Sequence, residues 1–394
     1  MRRILAPVVW LTGCGPQGPA DATGATGATG EPPTNSSGTL PTGGTELSTS
    51  GAPEPDLPAP PAEWTVFPEG IGRALVVADD FLVIVGFDGG QTWAERRALD
   101  GTVAWTRSLG GTGDLQDVAW QADRRRLVVG GLGSDAQLWL LDEAGEILGE
   151  HMFDAMDDIF QVRVAIAPDE TIVCALSGDD GVKSGAEARL VRLTADAEAP
   201  TILAVRDGDA GELGVGEGLL VMATTIDSLT AYHGATHAFA ADGASLWSLA
   251  EDPGRAPNAA AVRDGLVYVV GGVHGGAGLV PQGWLRVRDL AGGPAWDRTF
   301  GTSFDDEIFG VAARDGVVAV TGRGLDPTTL VPVIVTAKYT AEGAELWSVT
   351  HLGDGSGDWE RGFDVGLDAA GFVYEIAVES NQTSVRSVLR RLGP

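Results

Sequence analysis

Four segments of this 394-residue chain share a Gly-x-x-x-Trp signature: Gly101–Trp105, Gly243–Trp247, Gly292–Trp296 and Gly343–Trp347. A turn-forming glycine ahead of an aromatic strand position, recurring at a step of about 50 residues, marks a repeat architecture. One further step reaches Leu392-Gly393-Pro394, where no such strand follows. Trp64-Thr65-Val66-Phe67 has the expected character instead, and matches Trp105-Thr106, Trp247-Ser248 and Trp347-Ser348. The sequence therefore predicts a ring of repeats whose last unit is completed by an N-terminal strand.

The repeat itself is written in short strands. Runs such as Phe81-Leu82-Val83-Ile84-Val85, Leu266-Val267-Tyr268-Val269-Val270 and Val317-Val318-Ala319-Val320 are bounded by Gly, Asp and Asn. β-branched and aliphatic runs of this length between turn formers read as strands. A typical unit opens with acidic residues and an alternating strand, Asp114 to Trp120. It continues through Leu127 to Gly131 and Ala136 to Leu141, and turns at Ala144-Gly145 into a fourth strand. Seven such units are expected, an all-β, seven-bladed β-propeller. Two have lost the tryptophan: Gly149 occupies its slot in one, and the unit around Thr201-Ile202-Leu203 is the most degraded. Trp64, Trp105, Trp247, Trp296 and Trp347 are expected to pack blade against blade.

The phrases Leu109-Gly110-Gly111-Thr112-Gly113-Asp114 and Ala337-Lys338-Tyr339, running into Gly343-Ala344-Glu345-Leu346-Trp347-Ser348, resemble the bacterial surface β-propeller repeat over most of 98–392. That resemblance implies an exported protein and no defined activity. The Gly-x-x-x-Trp motif is also similar to the quinoprotein-type repeat, whose tryptophan docks blades together; the vicinal cysteines of quinoprotein dehydrogenases are absent. Phe87-Asp88-Gly89-Gly90-Gln91-Thr92-Trp93 resembles the Asp-box of sialidase-like propellers, without its leading Ser or Thr. In those folds the box is a structural turn. No arginine cluster is legible that would make it more.

Residues 1–62 read differently. Met1-Arg2-Arg3, an apolar run from Ile4 to Leu11, and then small residues before Cys14 follow the order of a secretory signal. The run is far short of the roughly 20 residues a membrane-spanning helix needs. Leu11-Thr12-Gly13-Cys14 resembles a lipoprotein lipobox, which implies a signal peptide over 1–13 and acylation of Cys14. The residue after it is Gly15, not aspartate, which favours the outer membrane or cell surface. Residues 14–62 are rich in Gly, Pro, Thr and Ser, and are expected to form a disordered tether. The propeller is expected over 63–394, held to the membrane through the N-terminal lipid only.

The formal net charge is −29. So acidic a chain argues against nucleic acid and anionic lipid headgroups as partners. It suits cations, or a protein or glycan partner with basic character, and the chain is expected to be a monomer. Cys174 lies in an apolar strand and reads as a small buried hydrophobe.

Acidic residues recur where blades begin: Asp114 and Asp117, Asp157 and Asp158, Asp209 and Glu212, Asp305 and Asp306, Asp358 and Glu360. They are expected to ring one mouth of the channel. Hard oxygen ligands gathered this way would suit Ca²⁺; the simpler reading is that each caps a turn. His233 and His237 are assigned to the loop 227–236 and its edge, and His274 to the glycine-rich loop 271–278. The same face is expected to carry long loops at 86–93, 177–187, 225–237, 272–283 and 323–332. No cofactor is called for: there is no nucleophile elbow, P-loop or dinucleotide fingerprint. The expected function is a non-catalytic binding or scaffold module of the cell envelope. The alternative is a metal-dependent hydrolase or lyase that uses the acidic ring.

Overall fold

The computed structural model describes residues 62–110, 113–133, 135–153, 157–179, 186–194, 200–228, 231–274, 282–300, 306–326, 328–329, 331–352, 360–381 and 384–394. Among these the chain is all-β apart from one 3₁₀ turn at Ala122–Arg124. Cys14, Asp305 and Asp358 lie outside the described residues.

The strands form antiparallel meanders of four. After β1 (Ala62–Val66) come β2 (Ile71–Val77), β3 (Phe81–Asp88), β4 (Gln91–Ala98) and β5 (Val103–Ser108), which make the first meander. The second is β6 (Asp114–Gln121), β7 (Arg126–Leu132), β8 (Ala136–Asp142) and β9 (Ile147–Phe153). The third is β10 (Asp157–Ile166), β11 (Ile172–Asp179), β12 (Ala186–Leu193) and β13 (Thr201–Asp207). The fourth is β14 (Asp209–Gly216), β15 (Leu219–Ser228), β16 (Ala231–Ala240) and β17 (Ser245–Ala250). Two further runs follow: β18 (Arg255–Arg263), β19 (Leu266–Val273), β20 (Gly283–Asp289), β21 (Pro294–Phe300), then β22 (Glu307–Arg314), β23 (Val317–Leu325), β24 (Pro332–Thr340), β25 (Glu345–Leu352). A bridge between Gly272 and Glu307 joins these two into one eight-stranded sheet. Finally β26 (Arg361–Leu367), β27 (Val373–Asn381) and β28 (Ser384–Leu392) take β1 as their fourth strand, with Thr65 opposite Arg390.

Burial is greatest in the second strands and falls toward the fourth. Second strands are covered on both faces, so β3 reads as an unbroken apolar run, with Leu82 to Val85 fully buried. Fourth strands such as β5 and β13 are mostly exposed. Apolar clusters fill the gaps between successive sheets, the geometry in which facing side chains interdigitate. One cluster joins Leu75, Leu82, Ile84 and Trp93 of the first meander to Tyr374, Ile376 and Leu389 of the last sheet.

The tryptophans bond from sheet to sheet. The Nε1–H of Trp64 donates to Leu99 O at 3.3 Å, Trp105 to Glu143 O at 2.8 Å, Trp247 to Leu290 O at 2.9 Å and Trp296 to Ala341 O at 2.7 Å. Each acceptor sits in the next unit's turn between third and fourth strands. The glycine of that turn is where the ring packs. Gly343, at φ +90°, would place a Cβ 2.8 Å from Trp296, so both its conformation and its contact call for glycine. Leu203 takes the tryptophan's place against Gly243. Trp347 is buried but its Nε1 has no acceptor, because the next third and fourth strands, β28 and β1, are joined by pairing and not by a turn.

Two sequence expectations are corrected. Segments 86–93 and 225–237 are not long loops: β3 and β4 pair up to Asp88 and Gln91, and β15 and β16 up to Ser228 and Ala231. The Gly89-Gly90 turn, with φ +54° and +98°, allows that tight hairpin. His233 and His237 consequently lie in strand β16, not in a loop.

Candidate functional site

The first strands carry a shared defect. Their register against the second strands skips one residue at Arg73, Gln116, Asn258, Phe309 and Phe363. A one-residue β-bulge bends the strand and re-aims the extra side chain. All five of these side chains line one cavity of about 490 Å³. The first strands β2, β6, β10, β14, β18, β22 and β26 all contribute to its wall.

The residue after the bulge lies deeper. Asp117 and Asp364 occupy this place in β6 and β26 and are 4% and 5% exposed. Asp117 accepts the amide of Val118 at 2.8 Å and, across to the next sheet, that of Val164 at 2.7 Å. Asp364 repeats the pattern with Val365 at 2.7 Å and Leu75 at 2.8 Å. Both carboxylates therefore couple neighbouring sheets as well as facing the cavity. Glu212, in the register shift of β14, is half-buried and lines the cavity. It makes no hydrogen bond or ion pair among the described residues. Arg163 supplies a positive charge nearby and donates to Gln116 O at 2.8 Å.

Burial dominates the protonation of these acids. It pushes Asp117 up to about 6, against the pull of Arg163. Asp364 is pushed up to about 7, burial again outweighing its amide bonds. Glu212 is raised well above the ordinary glutamate range by burial, then by the charges of Asp364 and Asp117. Asp114 is also raised by burial, with Arg73 opposing at 3.8 Å. Glu307 is the exception. Burial favours its neutral form, but His274, Asn258 and Arg323 together hold it below the ordinary value. The bonds are 3.2 Å to His274 Nε2 and 2.9 Å to Asn258 Nδ2, and Arg323 lies at 3.4 Å.

An arginine–phenylalanine ladder borders the same cavity. Arg73 lies over Phe87 and Phe363 at 5.4 and 4.8 Å from the ring centroids. Arg361 lies over Phe363 and Phe309 at 5.2 and 5.6 Å, and Arg323 over Phe309 at 6.0 Å. Burial, then the charges of Arg323 and Arg73, lowers Arg361 to about 10. This arginine grouping was invisible in sequence, since Arg73 and Arg361 stand at opposite ends of the folded region.

The residues singled out from sequence divide accordingly. Asp114, Asp117 and His274 line the cavity, as does Glu212. Asp306 is buried and accepts the Leu325 amide at 2.9 Å, tying the start of β22 to the end of β23 across the strand pair. His237 is buried between Thr224 Oγ1 at 3.1 Å and Ser248 Oγ at 2.8 Å, and burial lowers it to about 4. His233 is exposed on the same strand. Asp157 and Asp158 stand at the start of β10. Among the described residues no three His, Cys, Asp or Glu side chains converge closely enough to hold a metal ion. Cys174 is fully buried, which pushes its thiol up and leaves it unreactive.

No family model and no curated protein matches the chain. Among solved structures it is similar to Drosophila Plexin A in complex with Semaphorin 1b. The identity is 9% and the TM-score 0.52, covering 85% of this chain and 87% of that one. It also aligns with a protein of unknown function from Bacteroides caccae, at 12% identity and TM-score 0.44, covering 69% of this chain and 94% of that one. The likeness to the plexin structure is one of fold, and that fold is propeller-like.

Proposed function

We propose that this chain is an exported, lipid-anchored, seven-bladed β-propeller, closed by its N-terminal strand, that serves as a binding module of the cell envelope. The pairing of β1 with β28, and the apolar packing of the last sheet on the first, support the closure. The lipobox-like tetrad ending in Cys14 supports the anchor. Mass spectrometry of the mature N-terminus tests it: a free, unprocessed Met1 overturns it.

The observation that carries the binding role is the cavity into which the first strand of each meander sends a side chain. A concave site with a few convergent polar groups and perturbed acids is where a propeller-like scaffold would take a ligand. A panel of glycans, peptides and charged metabolites, followed by thermal melting, tests this. At least one should raise the midpoint saturably, and replacing Phe309 and Phe363 by alanine should abolish the effect. No shift from any compound, or one indifferent to those changes, overturns the reading.

The alternative is a hydrolase or lyase. It is favoured by Asp117, Glu212 and Asp364, whose carboxyls keep protons toward neutral pH as a general acid must. Turnover of a chromogenic substrate that disappears in Glu212→Gln would establish it.

A further inference from the structure

The cavity is layered by charge. Its outer layer holds the half-buried Arg73 and Arg361, backed by Arg323 and stacked on Phe309 and Phe363; Asp114 at 3.8 Å from Arg73 and Glu307 at 3.4 Å from Arg323 offset part of that positive charge. Its inner layer holds Asp117, Glu212 and Asp364, with Arg163 the one basic group acting on all three. The carboxylates come from β6, β14 and β26, so they face inward from different sides and feel one another's charge. They do not converge on a point, as a metal ion would require. Unused bonding capacity remains in both layers. Among the described residues Glu212 makes no hydrogen bond or ion pair, and Arg73 Nε has only its long 3.8 Å ion pair with Asp114 and no hydrogen bond.

A ligand of one sign meets half of this site wrongly. An organic dication must pass the guanidiniums, and a dianion must approach Asp117 beside two acids, Glu212 and Asp364, that offer it no positive charge, each at a desolvation cost without compensation. A neutral ligand leaves Glu212 and the arginine layer without a counter-charge of their own from the ligand. A molecule with one charge of each sign satisfies both, since a planar guanidinium suits a carboxylate and buried carboxylates suit an ammonium. We infer that the cavity binds a small amphoteric molecule, with a protonated amine directed inward and a carboxylate held at the arginine layer. This rests on the reading of the cavity as a binding site and names its ligand class.

Isothermal titration of the full chain at neutral pH tests the inference with three probes of matched length: ε-aminocaproate, hexamethylenediamine and adipate. ε-Aminocaproate should bind saturably, and about tenfold or more tighter than either single-sign probe. Glu212→Gln and Arg73→Gln should each weaken it by a similar factor while the chain still melts cooperatively. Arg323→Gln replaces the second variant if Arg73→Gln does not fold. Equal or tighter binding of the diamine or of adipate overturns the charge layering while leaving a binding cavity in place. Binding of none of the three overturns the ligand class, and the panel described above then decides separately whether the cavity binds anything.

Discussion

Asp364 Oδ2 accepts the backbone N–H of Leu75 at 2.8 Å, a bond between the last sheet and the first that spans 289 residues of sequence. Asp117 makes the same bond to Val164 between the second and third meanders. The two acids are equivalent positions in the repeat. Each follows a bulge, and each satisfies an amide that would otherwise face the cavity's wall unpaired.

Replacing Asp364 by alanine leaves two buried amides without an acceptor and should cost about 2 kcal/mol or more. The loss should be greater at about pH 5 than at about pH 8. At the higher pH the substitution also removes a buried charge, because the folded-state pKa is raised. Urea unfolding at the two pH values measures the difference; a loss that grows with pH contradicts it.

Glu212→Gln should stabilise the chain at about pH 8 and have no effect at about pH 4. With its pKa raised by folding, the native state keeps a proton that the unfolded state has released. Stability therefore falls as pH rises above the ordinary glutamate range, and glutamine removes that fall. Thermal midpoints of the two proteins across this range decide the point.

His237 acts in the opposite direction. Its folded-state pKa is lowered to about 4, so the unfolded chain takes up a proton first as the solution is acidified. The stability it contributes is present above its ordinary value and drains away toward the lowered one. His237→Gln should flatten the stability profile across that interval.

The turn contact predicts a graded series. Trp296→Phe loses a 2.7 Å bond to Ala341 O and should cost about 1 kcal/mol more than Trp347→Phe, whose Nε1 has no acceptor. Gly343→Ala should be worse than either, since it combines a positive φ with a Cβ only 2.8 Å from the Trp296 ring. Chemical denaturation ranks the three.

A chain starting at Pro68 should melt well below one starting at Ala62. Removing β1 strips β28 of its partner strand, and with it the Trp64 contact to Leu99 and the ion pair of Glu63 with Arg391 at 2.8 Å. Equal midpoints would mean that β1 contributes nothing to the seam.

Much of the fold was legible before any coordinates. The strands β6, β7 and β8 follow the runs beginning at Asp114, Leu127 and Ala136, because alternation and turn glycines are local signals. The hairpin loops were misjudged at 86–93 and 225–237, since glycine and histidine there looked like loop residues and extended pairing overrode local propensity. The acids at the first-strand starts stand out in sequence as a set. Their places were not separable: Asp117 faces the cavity, while Asp306 bonds across to the end of the neighbouring strand.

What the sequence by itself determined is the repeat, its strands and the tryptophan–glycine contacts, all of which depend on spacing within about 50 residues. Only the tertiary structure decided the site. A bulge of a single residue chooses which side chain turns inward, and no composition or period announces it. The layers of opposite charge arise because Arg73, Arg361 and Arg323, and likewise Asp117, Glu212 and Asp364, meet across hundreds of residues. The raised pKa values of those acids follow from desolvation, which exists only once the sheets have packed around them.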